Sequence, residues 1–377
     1  MKRILFLMLF IPAFIFAESF YSPTWGFKLN LPEGYEFSEG DGKNQFSFNG
    51  PGGAMFDMVV YNGTFNSVKE LAGNVTKKLK NKGDVDYFKY KDKQAAIIEL
   101  NFGGFSGWGL CVELAAKDGA SAKDKRPLLL ALAYGQADRK DLQLFHFSAL
   151  DSIVPSDEEQ YYPGPVTEYS YPRGKRKQVT LAGSAVTAAI CENDATAAQA
   201  LIEREFKVLI NYFNSPKLKE AWIRYYRLIF RDSVDRITDA VTALGRNWGA
   251  DALKDGQAER AFAGKALAFV QGFNYERDQQ GADFLNLVSA VTEGRGDCDS
   301  RAMLWAILLA NADIPAAMMI SQQYSHAMGL ADIDGTGARF ELYGDKWLVA
   351  ETTANVDIGL IAEDVSDPQY WIGVVFD

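Results

Sequence analysis

Cys298, His326 and Glu351 occur in that order near the end of the chain, with 28 residues from thiol to imidazole and 25 from imidazole to carboxylate. A thiol nucleophile, an imidazole base and a carboxylate that orients the base are the parts of a thiol acyl-transfer site. Histidine is scarce here. His146 and His326 are the only two in the sequence, so imidazole chemistry has few places to reside.

The flanking residues say how such a site would be built. Glu293-Gly294-Arg295-Gly296 leads into Asp297–Asn311, whose Ala302, Trp305, Ala306 and Leu309 recur at helical spacing. Cys298 would then sit at a helix start, where free amides and the helix dipole lower a thiol pKa and can hold an oxyanion. Asp297 and Asp299 oppose a thiolate unless they cap the helix and turn away. Taken alone, the pattern fits a small buried cysteine equally well. His326 shares a strand face with Met328 and Leu330, as a core histidine would. However, Trp347, Val349 and Glu351 alternate along a later strand, which could bring the carboxylate beside the imidazole. The expected strands are 316–321, 325–331, 338–343 and 346–352, with Gly344-Asp345 turning the last hairpin.

The 377 residues, 48% of them hydrophobic, exceed one ordinary domain and suffice for two cores. Lys2 and Arg3 precede an apolar run from Ile4 to Ala17 that is too short to span a bilayer. It reads as a signal peptide over residues 1–17, which predicts a periplasmic or secreted protein. Losing it takes the net charge from −10 to −12. An acidic surface argues against nucleic acid and anionic membrane surfaces as partners and leaves a protein or peptide substrate as the expectation. Three cysteines cannot all pair among themselves; Cys111 and Cys191 could bridge and leave Cys298 free. With two histidines and no paired Cys-x-x-Cys, neither a metal nor a cofactor is expected.

The expected fold class is α+β in two parts. Residues 18–155 alternate as strands around one amphipathic helix, Ser67–Lys80, and close with a helix over Leu142–Val154 in which His146 packs. Residues 156–178, rich in proline, glycine and basic side chains, read as a linker. In the region 179–377, Val179–Ile190 could be one strand. Helices are expected over 195–213, 215–244 and 251–273, and the stripe Leu218, Trp222, Tyr225, Ile229 is expected in the core. Asp332-Ile333-Asp334-Gly335-Thr336-Gly337 hints at a calcium loop, but position twelve is Tyr343, and a turn is the better reading.

Two family resemblances follow from these motifs. Trp25-Gly26-Phe27-Lys28-Leu29-Asn30-Leu31-Pro32-Glu33-Gly34, the early helix and Leu150-Asp151-Ser152-Ile153-Val154-Pro155 resemble PsbP-like domains, which implies a binding or assembly module that could engage another protein. Phe269–Tyr275, Gly296-Asp297-Cys298, Ala310–Ala316, His326-Ala327 and Trp347 with Glu351-Thr352-Thr353 together resemble the transglutaminase-like superfamily over about 263–358. That resemblance implies a papain-like helix-plus-antiparallel-sheet core, with Cys298 as nucleophile, His326 as base and Glu351 as third member. The chain departs from the family's usual Asp-Pro at Glu351-Thr352, and has Met328 where an aromatic is common. The expected function is an exported cysteine enzyme acting on amide bonds, as peptidase, amidase or acyltransferase. The alternative is an inactive cell-envelope scaffold that keeps the fold.

Overall fold

The computed structural model describes residues 20–116, 125–277 and 281–376. The expected signal peptide lies outside the described residues. The fold is α+β, built on two antiparallel sheets with a helical layer between them.

The first sheet has seven strands: β1 (Glu36–Gly40), β2 (Gln45–Asn49), β3 (Met55–Tyr61), β4 (Val85–Tyr90), β5 (Lys93–Phe102), β6 (Phe105–Glu113) and β7 (Leu128–Gln136), in the order β1-β2-β3-β7-β6-β5-β4. Its alternating side chains feed two cores. Phe46, Phe56, Ile97 and Leu110 face one side. Ala96, Ile98 and Cys111 face helix α1 (Val68–Leu79) on the other. Ser67 caps α1 by accepting from the Glu70 amide, and Lys80 ends it in a left-handed conformation. Helix α2 (Gln143–Asp151) follows β7 and buries His146. Burial outweighs the pull of the Tyr134 carbonyl and holds this imidazole at about 4, so it is neutral at ordinary pH.

The expected linker is ordered. Tyr162 and Val166 join the core of the first sheet, Val166 lies in helix α3 (Pro165–Ser170), and Glu159 is buried against Lys93 at 2.6 Å. The stretch from Val179 to Ile190 is not one strand. It contributes to a hairpin of β8 (Arg176–Thr180) and β9 (Thr187–Cys191), turned around Gly183 at φ 61°.

Helices α4 (Asp194–Leu209), α5 (Leu218–Trp248) and α6 (Gly256–Gln271) form the middle layer. The first sheet docks onto it through buried charge. Arg224 bonds Glu33 at 3.1 Å and Glu205 at 3.0 Å, while Ser148 donates to Glu205 at 2.7 Å. Arg204 meets Asp151 at 2.6 Å, and Arg231 donates to the carbonyls of Tyr162, Asp151 and Ile153. Carbonyls, carboxylates and guanidinium groups meet one another, which is what permits their burial, although Arg224 Nη2 is left without a hydrogen-bond partner among the described residues.

Helices α7 (Leu287–Glu293) and α8 (Cys298–Ala310) then lead into the second sheet: β10 (Ala316–Ser321), β11 (His326–Ala331), β12 (Arg339–Leu342), β13 (Asp345–Ala350) and β14 (Ile372–Val375), in the order β12-β13-β11-β10-β14. Leu342 pairs with Asp345, so the hairpin loop is Tyr343-Gly344, one residue earlier than expected. Both loop residues have positive φ, as a tight twisted hairpin requires. Helix α8 lies across β10 and β11, with Trp305 fully buried and its indole donating to the Ala263 carbonyl at 3.0 Å. Gly329 permits this close approach, since a Cβ there would meet Trp305 Cε3 at 2.3 Å.

Candidate active site

The loop before Cys298 is shaped by its glycines. Gly294 ends α7 at φ 69°, and a Cβ on Gly296 would meet Ser300 Oγ at 2.4 Å. Asp297 caps α8: its carboxylate accepts from the Ser300 amide at 2.8 Å and from the Leu285 amide at 2.9 Å. Beneath the loop, buried Arg301 donates to the carbonyls of Gly296 at 3.1 Å and Phe273 at 2.8 Å. Cys298 thus opens the helix, as its spacing predicts, with first-turn amides that have no partner inside the helix.

His326 begins β11 and Glu351 directly follows β13. Gly329 pairs with Ala350, so Glu351 stands across from Met328 and diagonal to His326 on one sheet face. His326 Nε2 and Glu351 Oε2 are 2.8 Å apart. The other carboxylate oxygen accepts from the Thr353 amide at 2.7 Å and the Thr353 hydroxyl at 2.6 Å. Gln271 holds the same bend, donating to the carbonyls of Glu351 and Val356 at 2.9 Å each. Burial pushes the Glu351 carboxyl up, but the bonds from His326 and Thr353 outweigh it and hold it below the usual range. With Nε2 engaged, Nδ1 is the imidazole nitrogen left for proton transfer.

Cys298 and His326 line one cavity of about 490 Å³, and no hydrogen bond joins them among the described residues. The thiol is instead 3.8 Å from Asp299 Oδ2. Ala327, next to His326, aims its amide at the sulfur, and the Tyr275 hydroxyl also reaches it. The expectation of a lowered thiol pKa does not hold. Burial pushes the Cys298 thiol up, and Asp299 and Asp297 add to the rise, outweighing the Ala327 amide and Arg277. Burial also raises both aspartates above the ordinary carboxylate range. Asp299 does not turn away as a cap would; it accepts from the Tyr226 hydroxyl at 2.6 Å and faces the cavity.

Several of these residues escaped the sequence reading. Of the expected core stripe, Tyr225 and Ile229 are buried, as is Tyr226 beside them, while Leu218 and Trp222 are only partly buried. Yet Trp222, Tyr225 and Tyr226 also form a wall of the cavity. Thr353 and Gln271 both carry a signal in the sequence, the first in Glu351-Thr352-Thr353 and the second inside the motif Phe269–Tyr275, but spacing alone assigns neither a role. The three cysteines are all free, so Cys111 and Cys191 do not bridge. Asp92, Glu158 and Glu159 cluster within 4.8 Å. Lys93 lies on Glu159 and Arg126 on Asp92, so cations of the chain already meet that charge. The segment Asp332–Gly337 is a turn anchored by Arg260 on the Asp334 carbonyl and by Arg339 on the carbonyls of Ile333 and Gly335.

No family model matches the chain, and no curated protein matches it. Among solved structures, a protein described as "a putative protease" from Parabacteroides distasonis aligns with 11% identity over 83% of this chain and 68% of its own, at a TM-score of 0.21. A likeness at that score bears on neither the fold nor the activity. Among the described residues no helix is long and apolar enough to cross a membrane.

Proposed function

We propose that the chain is an exported thiol enzyme of transglutaminase-like type that cleaves or transfers amide bonds. The observation that carries this reading is the His326–Glu351 pair, whose imidazole lines the same cavity as Cys298. Nδ1 of His326 takes the thiol proton as Sγ forms a bond to the amide carbonyl carbon. The carbonyl oxygen becomes an oxyanion facing the first-turn amides of α8. When the tetrahedral intermediate collapses, the C–N bond breaks and the imidazolium returns its proton to the departing amine. Water then attacks the thioester, with His326 again as base, giving acid and free thiol. An amine in place of that water gives acyl transfer.

Glu351 sets the tautomer by holding Nε2–H, and it stabilises the imidazolium formed in each half-reaction. Thr353 fixes the carboxylate. The thiol must swing from Asp299 toward His326 as substrate enters, and catalytic contacts are often long before it does.

The raised thiol supports a second reading, a scaffold that keeps the fold without turnover. The pH dependence of Cys298 alkylation by iodoacetamide separates the two. An enzyme shows a rate at neutral pH well above that of a free thiol, lost in His326→Ala. A scaffold alkylates no faster than a model peptide and is indifferent to that substitution. Incubation with an amide donor and a labelled amine then distinguishes hydrolysis from transfer by the product that carries the label.

A further inference from the structure

Resting on the thiol-enzyme reading, we infer that the cavity beside Cys298 is an acyl-side pocket for a large apolar side chain, aromatic by preference. The helical layer supplies Phe206, Leu218, Trp222, Tyr225 and Tyr226, and Phe284 adds another ring. From the sheet side come Ile320 and Ile372. Trp222 stacks on Tyr226 at 5.7 Å between ring centroids, and Tyr225 and Tyr226 each meet Phe284. Such a wall offers edges and faces to an incoming ring. A volume of about 490 Å³ falls within the range of small-ligand pockets and holds a ring with its adjoining backbone.

Some polar groups in this wall are engaged already, while Tyr225 Oη and Asp283 Oδ1 are buried without a hydrogen-bond partner among the described residues. Asp299 accepts from Tyr226, and Asp283 is paired with Arg277. Lys219 is exposed, at the N-terminal end of α5. A carboxamide pushed into this pocket would lose water and regain hydrogen bonds only at scattered groups such as Tyr225 Oη and Asp283 Oδ1 in a wall made mostly of rings and aliphatic side chains. An aromatic ring loses nothing comparable and gains from leaving water.

The test uses the full chain and peptidyl chloromethyl ketones that differ only in the residue bearing the ketone: phenylalanine, glycine or glutamine. Sγ bonds to the methylene carbon, chloride leaves and His326 takes the thiol proton, so each reagent reports pocket occupancy through one reaction. Cys298 should be alkylated on the order of 10- to 100-fold faster by the phenylalanine reagent than by the glycine one, the scale expected for burying such a side chain. The glutamine reagent should also be slower than the phenylalanine one. Leu218→Trp, which fills the pocket, should lower the phenylalanine-to-glycine ratio, with circular dichroism checking the fold. Cys298-dependent labelling at equal rates for all three reagents overturns the pocket and leaves the thiol reading intact. If no reagent labels Cys298 faster than glutathione, the thiol reading fails, and the pocket is then judged by calorimetry on Cys298→Ala. Tighter binding of N-acetyl-phenylalaninamide than of N-acetyl-glutaminamide sustains it; equal affinity overturns it.

Discussion

His326 Nε2 and Glu351 Oε2 meet at 2.8 Å because Gly329 pairs with Ala350, which sets the strand ends side by side. The imidazole is thereby held in one tautomer, and its proton-accepting nitrogen is Nδ1. Glu351→Ala should lower the Cys298 alkylation rate and any amidase rate on the order of 10²-fold or more, as for loss of an oriented base. Glu351→Asp, one methylene shorter, should retain part of the activity. Equal rates in wild type and Glu351→Ala would remove Glu351 from the mechanism.

Asp299 opposes ionisation of its neighbour. Its carboxylate, 3.8 Å from Sγ, stabilises the thiol over the thiolate. Asp299→Asn keeps a group that can bond Tyr226 but removes the charge, so the alkylation midpoint of Cys298 should fall. Titration of the labelling rate against pH measures it, and an unchanged or higher midpoint contradicts the electrostatic account.

The same aspartates tie stability to pH. Burial raises Asp297 and Asp299 above their ordinary range, and repulsion between the two carboxylates adds to the rise at Asp297. The folded chain therefore holds protons that the unfolded chain releases near pH 4. Stability should fall as pH rises from that value through the raised native values, since the native state binds more protons in this window. Urea midpoints measured between pH 4 and 8 should decline less steeply in Asp299→Asn.

Gly329 carries a packing constraint. An alanine Cβ would enter the Trp305 ring at 2.3 Å from Cε3. Gly329→Ala should cost about 1–3 kcal/mol through overpacking and displace the strand that begins with His326. Chemical denaturation and Cys298 alkylation should both register the change.

The junction between the first sheet and the helical layer depends on Arg224. Replacing it with alanine leaves Glu33 and Glu205 buried without their shared cation. The expected loss is about 3–5 kcal/mol, as for breaking a buried ion pair, read as an unfolding transition at lower denaturant. Arg224→Lys should recover part of it, because lysine keeps the charge and loses the fork.

Much of this protein was legible locally. Ser67 before an amphipathic run starts α1, and alternation gives the strands from Ala316 to Ala350, because capping and two-residue periodicity are short-range effects. The hairpin after Leu342 was legible except for its register, which positive φ at both Tyr343 and Gly344 decides. The split of Val179–Ile190 into two strands was hidden because Gly183 alone marks its turn.

The sequence by itself determined the order and types of Cys298, His326 and Glu351 and the elements that carry them. Tertiary structure decided what surrounds the thiol. Trp222 and Tyr226 lie more than 70 residues before Cys298, and helical spacing marks them only as buried. Packing of α5 beside α8 makes them a cavity wall and brings a tyrosine hydroxyl onto Asp299. Likewise, a helix start alone predicts an easily ionised thiol. Burial, the turned-in Asp299 carboxylate and the nearby Asp297 cap reverse that sign, because desolvation and nearby charge outweigh a terminal dipole.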